Sequence, residues 1–402
     1  MIKEIIRKNR FIYKPARIIH LGLIYLCIFL SSFFRSRKFY LRNHSIGLIC
    51  GHRDTGLGRA TQHLSDAIKK NFKSLPLFMA NINLLELKEY ISFNPNINIY
   101  VGNPDIFIPS FSKFLSFRIF KKYNVGFWFW ELENIPSSWR LSKKVVDEVW
   151  VQSEFVFNAF KSISDNVIKI PFYVDVELNS SLTREKLNLP NGVFIFIFTF
   201  DFLSYYERKN PEAVVRAFVS AFGDREDVLL LIKTVNGKAK PEYKVKLSRI
   251  TEGLSNVEFR DEFLSYEEHV GLIALSDCYV SLHRSEGLGL GMAEAMYLGK
   301  PVIATNYSGN LEFMNERNAC LVKFDMVPVS NESYIYGSGQ KWADPDTYDA
   351  ANYMIRIIDD VTYRESLSRQ ASIDMRNNFS KSRFEKIINQ RLNEILISHT
   401  VD

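Results

Sequence analysis

SEGLGLGMAEAMYLGKPVIATNYSGN, residues 285 to 310, holds the order of elements from which the rest of the chain is read. Glycines at 287, 289 and 291 lie between two glutamates, Glu286 and Glu294. A glycine costs about 1 kcal/mol in a helix interior, so Gly287 to Gly291 are expected in a loop. MAEAMYL, which follows, is a run of helix formers, and Gly299 and Pro301 stop it. CYVSLH (278–283) and VIAT (302–305) are short apolar runs that read as buried strands. The unit is strand, glycine loop, helix, strand. Glu286 falls in the loop and Glu294 in about the first turn of the helix.

In a continuous helix these glutamates would stand about 12 Å apart along the axis. A curled loop can bring both to one ligand. Free N–H groups at the helix start favour an anion such as phosphate. Carboxylates do not favour phosphate, but they accept hydrogen bonds from hydroxyls. A ligand carrying phosphate and many hydroxyls is a sugar nucleotide. Taken alone, the stretch also reads as a structural loop, with Glu286 solvated and Glu294 facing the helix dipole.

The chain has 402 residues, enough for two domains, and 47% hydrophobic residues, enough for large cores. Cys27, Cys50, Cys278 and Cys320 have no metal or redox spacing and read as buried thiols of a reducing compartment. Charge is uneven. Residues 1–44 carry ten Lys/Arg and one acid, Glu4, while the remainder carries 41 basic and 44 acidic residues. The basic balance therefore belongs to the N-terminal extension, which argues against a nucleic-acid-binding body. Within it, IIHLGLIYLCIFLSSFF (18–34) is an apolar run of 17 residues flanked by Lys14, Arg17, Arg35, Arg37 and Lys38. As a helix it would span about 25 Å, short of a bilayer core. No small-residue cleavage site follows it. Cationic flanks fit a segment lying in an anionic cytoplasmic leaflet; packing on the first domain is the alternative.

From residue 45 strands and helices alternate, the pattern of parallel sheets covered on both faces. SIGLIC (45–50), LPLFMA (75–80), NINIYV (96–101), VGFWFW (125–130), DEVWVQ (147–152) and VIKI (167–170) read as strands of a first domain. PFYVDVELNSSLTREKLNLPNG (171–192) reads as a linker. VFIFIFTF (193–200), VLLLIKT (228–234) and NVEF (256–259) begin a second series, with a helix at PEAVVRAFVSAF (211–222). Open α/β domains bind ligands at the carboxyl ends of their strands. Three loops lie there: GLGR (56–59), ERKN (207–210) and the glycine–glutamate loop. Arg208 and Lys209 are suited to a diphosphate.

With these motifs in order, residues 45–400 resemble the retaining glycosyltransferases of family 4. The spacing Glu286, seven residues, Glu294 within EGLGLGMAEAMYLGKPVIAT, followed by NYSGNLEF, is its most specific part. ERKNP is similar to the family's Arg/Lys phosphate clamp, and GLGR to its N-terminal glycine loop. GFWFWELENIP and DEVWVQSEF resemble bacterial members that build surface polysaccharides.

The resemblance implies an α/β, GT-B fold: two Rossmann-like, doubly wound parallel-sheet domains facing a central cleft. The expected division is an extension at 1–44, an acceptor-side domain at 45–180, a nucleotide-sugar domain at 181–382, and a C-terminal helix at 383–402 crossing back to the first domain. It implies that Glu286 contacts the donor sugar and Glu294 the ribose, while Arg208 and Lys209 neutralise the leaving diphosphate. Backbone N–H groups of Gly287, Leu288, Gly289 and Leu290 assist, with Leu288 and Gly289 shaping the sugar pocket. Ser308, Gly309 and Asn310 form a second loop-to-helix junction, Gly56, Gly58 and Arg59 lie near the donor phosphates, and Phe259 to Phe263 edge the base pocket. One departure is visible. Many members carry a histidine near the reacting carbon, and here the segment reads FWFWELEN, so Trp130 or Glu131 stands in that place. His52 and His283 are more simply structural.

The implied reaction moves a hexose from a UDP- or GDP-sugar to a hydroxyl of a glycan, lipid-linked, acceptor in surface-polysaccharide or O-antigen assembly. No metal or other cofactor is expected, and no nucleic-acid partner. The extension would hold the enzyme peripherally on the cytoplasmic face of the plasma membrane. Rival readings are another GT-B sugar-nucleotide enzyme, such as an epimerase, and a silent nucleotide-binding scaffold at the membrane.

Overall fold

The computed structural model describes residues 45–51, 56–78, 84–104 and 122–399. The extension 1–44, with Cys27, lies outside the described residues, as does His52. The first sheet has strands β1 (Ser45–Cys50), β2 (Lys73–Phe78), β3 (Ile97–Val101), β4 (Tyr123–Phe127), β5 (Glu148–Val151) and β6 (Val167–Lys169). Their order is β2-β1-β3-β4-β5-β6, all parallel. Its helices include α1 (Gly56–Ile68), α2 (Leu84–Phe93) and α3 (Glu154–Lys161). Parallel strands covered on both faces are apolar throughout. Thus Ile46 and Leu48 of β1 face a core with Leu64 and Ile68 of α1, while Ile49 faces another with Val156 and Phe160 of α3.

The second sheet has β7 (Phe194–Asp201), β8 (Val228–Val235), β9 (Val257–Asp261), β10 (Cys278–Ser281), β11 (Val302–Thr305) and β12 (Cys320–Val322). Its order is β12-β11-β10-β7-β8-β9, again parallel. Around it lie α4 (Pro211–Phe222), α5 (Pro241–Thr251), α6 (Tyr266–Leu275), α7 (Leu290–Tyr297), α8 (Thr347–Asp359) and α9 (Val361–Asn378). The run FIFIFTF divides by parity: Phe194, Phe196, Phe198 and Phe200 meet one core, and Ile195 and Ile197 the other. This is the two-domain, Rossmann-like α/β fold that the sequence implies.

The chain crosses between the domains twice, and the crossings touch. Phe172 stacks on Phe379 at 4.7 Å, and the Val174 N–H donates to the Phe379 carbonyl at 3.0 Å. The stretch expected to be a linker is packed. Phe172, Val174, Val176, Leu187 and Leu189 enter the second domain's core, while Ile170 and Tyr173 enter the first's. After the return crossing, α10 (Lys381–His399) buries Phe384, Ile388, Leu392, Ile395 and Leu396 against the first sheet. There Arg391 meets the wholly buried Glu148 of β5, which also accepts from Tyr123 Oη at 3.0 Å and Trp150 Nε1 at 2.5 Å.

An antiparallel hairpin, β13 (Phe324–Pro328) and β14 (Lys341–Pro345), is absent from the sequence reading. It leaves the second domain after β12. Val329, Tyr334 and Trp342 join the core of the first, beside Trp128, Trp130 and Trp139.

Candidate active site

The second sheet reverses direction of growth between β7 and β10, and ligands bind open α/β sheets at such a point. The loops after these two strands carry Arg208–Lys209 and Glu286. The segment expected to be an open loop after β7 contains a helical turn, Tyr206–Lys209. It is bounded by two non-glycine residues of positive φ, Tyr205 at 64° and Asn210 at 53°. Such strain persists only where the surroundings enforce it, and it collects at functional sites. Asn210 Nδ2 donates to the Leu282 carbonyl at 3.1 Å, and the Arg284 N–H donates to the Arg208 carbonyl at 2.8 Å. These bonds lock the turn to the end of β10.

The turn brings both cations to one carboxylate. Arg208 Nη1 lies 3.0 Å from Glu286 Oε2, and Lys209 Nζ bonds Glu286 Oε1. Glu286 is 7% exposed. Burial pushes its carboxyl upward, but Arg208 and Lys209 outweigh burial and hold it at about 2. Burial, aided by the Arg208 charge, lowers Lys209 in spite of Glu286. Arg208 is raised, because Glu286 and Glu131 overcome its burial. Among the described residues its buried Nε finds no acceptor. A donor is therefore spare beside Glu286.

The glycine loop is shaped by close approaches. A Cβ on Gly309 would lie 2.1 Å from the Gly287 carbonyl oxygen, and one on Gly287 would lie 2.7 Å from the Trp130 carbonyl oxygen. The Gly309 N–H donates to the Glu286 carbonyl at 2.8 Å, and the Glu286 N–H to Ser308 Oγ at 2.8 Å. Ser308 and Gly309 thus fix the backbone of Glu286. Gly289, at φ 95°, caps α7, and Leu290 opens it. Glu294 lies in the second turn of α7 rather than the first, and accepts from Tyr266 Oη at 3.0 Å.

The remaining expected residues each have a definite place in the fold. Leu288 is buried with Tyr279 and Met292 in the second domain's core, as an apolar side chain favours. Trp130 is likewise buried, with Nε1 donating to the Asn134 carbonyl at 3.0 Å. Its neighbour Glu131 faces the cluster, with Oε1 3.8 Å from Arg208 Nη2. Gly56, Gly58 and Arg59 form the first turn of α1, not a loop; the Arg59 side chain lies outside the described residues. Phe259 packs on the core, and Phe263 is 85% exposed. His283 is structural: wholly buried, it is lowered by burial and bonds Ser281, Tyr307 and Asn310. The thiols of Cys50, Cys278 and Cys320 are buried.

Contacts missed in the sequence cross the cleft. Ser153 Oγ donates to the Gly287 carbonyl at 2.7 Å, Ser285 Oγ to the Glu131 carbonyl, and Tyr307 Oη to Glu133 at 3.1 Å. Tyr334 Oη donates to Glu131 Oε2 at 2.5 Å. Nothing local marks such pairs, which lie 134 to 203 residues apart.

Residues 180–326, which include both loops, match the family of glycosyl transferases group 1. No curated protein sequence matches the chain. Solved structures match it over most of its length. Anabaena HepE in complex with UDP and glucose is 14% identical, with a TM-score of 0.65 over 88% of this chain and 100% of that one. Sucrose-phosphate synthase from Thermosynechococcus elongatus is 15% identical, with a TM-score of 0.66 over 88% and 100%. A glycosyltransferase from Rickettsia africae is 16% identical, with a TM-score of 0.62 over 88% and 99%. The fold is GT-B, and the domain match makes the chain a glycosyltransferase.

Proposed function

We propose that the protein transfers a hexose, with retention, from a UDP- or GDP-sugar to a hydroxyl of a lipid-linked glycan during surface-polysaccharide or O-antigen assembly. One observation carries the donor half of this reading: two cations, Arg208 and Lys209, and one carboxylate, Glu286, converge where the second sheet reverses. HepE, of like fold, was crystallised with UDP and glucose. Glu294, eight residues on, would accept from ribose hydroxyls.

Negative charge grows on the departing diphosphate, and preorganised cations there lower the barrier. Arg208 supplies a planar fork with a spare Nε, Lys209 a point charge, and α7 its first N–H groups. These groups supply positive charge without a metal. Glu286, held ionised by the same cations, accepts from a sugar hydroxyl. The acceptor hydroxyl would attack from the leaving-group side, its proton passing to the departing phosphate oxygen. This gives retention without a protein nucleophile.

The basic, apolar extension supports an anionic membrane as the place of action, since each basic residue near such a surface adds about 1 kcal/mol of attraction. Among the described residues, no helix is long and apolar enough to cross a membrane.

The test is transfer from labelled UDP- and GDP-hexoses to a membrane lipid extract. A labelled glycolipid with the donor's anomeric configuration is expected. Interconversion of donors with no transfer, or binding without turnover, would refute the reading.

A further inference from the structure

We infer that the β13–β14 hairpin is an interdomain clasp and that its Tyr334 positions Glu131 as the hydrogen-bond acceptor for the attacking hydroxyl. This rests on the transferase reading above.

The base of the hairpin is tied to the cation loops. The Ala343 N–H donates to the Arg284 carbonyl at 3.0 Å, Arg284 Nη2 pairs with Asp344 at 3.1 Å, and its guanidinium lies over Trp342 at 5.7 Å. Arg284 in turn donates to the Glu207 carbonyl at 2.8 Å, within the turn that bears Arg208. The tip of the hairpin is tied to the other domain. The Asn134 N–H donates to Gln340 Oε1 at 3.0 Å, and Gln340 Nε2 returns a bond to the Asn134 carbonyl at 2.9 Å. Tyr334 lies in the loop at the tip (329–340), buried, with its ring 4.4 Å from Tyr205 of the second domain and 5.9 Å from Trp130 of the first.

The chemistry follows from which oxygen is used. Tyr334 takes Glu131 Oε2, so Oε1 is the oxygen left on the Arg208 side. A quarter of the Glu131 side chain remains exposed, at 25%. A carboxylate oxygen beside the diphosphate clamp can accept a hydrogen bond from an incoming hydroxyl on the leaving-group face, and give it up as that proton passes to the departing phosphate oxygen. A glutamate has free χ angles, and a buried donor on one oxygen fixes the other. Glu131 belongs to the first domain and Tyr334 to the second, so this acceptor point is assembled only when the hairpin is docked. Tyr334 is thus a positioning residue, acting through Glu131.

The test compares wild type, Tyr334→Phe, Glu131→Ala and the double variant. Phenylalanine keeps the ring packing and removes only the donor. Transfer by Tyr334→Phe is expected to fall about tenfold or more, the scale of a lost orienting contact. Nucleoside-diphosphate affinity and melting temperature should hold, and the double variant should be no slower than Glu131→Ala. Wild-type transfer in Tyr334→Phe, or parallel losses of stability and nucleotide affinity, would overturn the clasp. Amide hydrogen exchange of Glu131–Asn134 is read on the same proteins. Faster exchange in Tyr334→Phe supports the clasp and unchanged exchange sinks it. A wild type that transfers no sugar would instead defeat the transferase reading, while the exchange comparison still judges the clasp.

Discussion

Ser153 has two partners at once: its Oγ donates to the Gly287 carbonyl of the opposite domain at 2.7 Å and accepts from the Val156 N–H at 3.4 Å, capping α3. One hydroxyl starts a helix in the first domain and holds the glycine loop of the second. Ser153→Ala should cost about 1–2 kcal/mol, a cap and the donor to the Gly287 carbonyl lost together. It should also loosen the loop. Urea unfolding and proteolysis within 285–291 check both, and an unchanged midpoint would show the contact to be passive.

Glu294 tests the ribose assignment. Its carboxylate accepts from Tyr266 Oη. Glu294→Ala should weaken nucleoside-diphosphate binding by about 1.5–3 kcal/mol, the scale of charged hydrogen bonds. Calorimetry on the folded variant decides, and equal affinity would move the ribose elsewhere.

The cations should act on the rate more than on binding. Arg208→Ala and Lys209→Ala are expected to lower kcat about 100-fold, with smaller changes in donor KM, because charge develops on the diphosphate only in the transition state. Steady-state kinetics would contradict this if KM alone rose.

The same ion cluster sets a pH signature. The Glu286 carboxyl is depressed from 4.5 to about 2. A depressed carboxyl contributes stability that is complete above its unfolded value and disappears as pH falls through its folded value. The stability gap between wild type and Glu286→Gln should therefore be level above about pH 5 and shrink between 4.5 and about 2. Urea midpoints across that range give the answer; a gap that stays constant down to pH 2 would break the assignment.

Arg391 should matter to folding rather than to chemistry. Arg391→Met strands Glu148, which is wholly buried and keeps, among the described residues, Tyr123 and Trp150 as donors. Removing one partner of a buried ion pair costs about 3–5 kcal/mol. Faster proteolysis at α10 with nucleotide binding preserved is the expected pattern.

Much of this was legible because it is local. FIFIFTF declares a strand covered on both faces, and glycine spacing places Glu286 outside a helix. The meeting of Arg208, Lys209 and Glu286 followed from position, since their loops leave strands that flank the reversal point. What failed was of two kinds. Side-chain direction just after a strand is not periodic, so Trp130 could not be separated from Glu131, nor Leu288 placed in the core. Pairings over 203 and 206 residues, Tyr334 with Glu131 and Gln340 with Asn134, leave no local trace. Tyr334 and Gln340 sit in SYIYGSGQ, whose Gly and Ser read as an ordinary turn.

The docking of α10 on the first sheet also fixes an order of events during synthesis. Phe384, Ile388, Leu392, Ile395 and Leu396 are interior residues of the first domain, yet they leave the ribosome after the whole of the second. The nascent first domain must wait with the apolar face that α1 shares with β1 and β3 only partly covered. The second domain can meanwhile fold to completion as a unit. A nascent chain that has emerged from the ribosome as far as Asn378 but not yet to Phe384 would thus carry one finished domain and one apolar sheet face only partly covered, a natural substrate for chaperones.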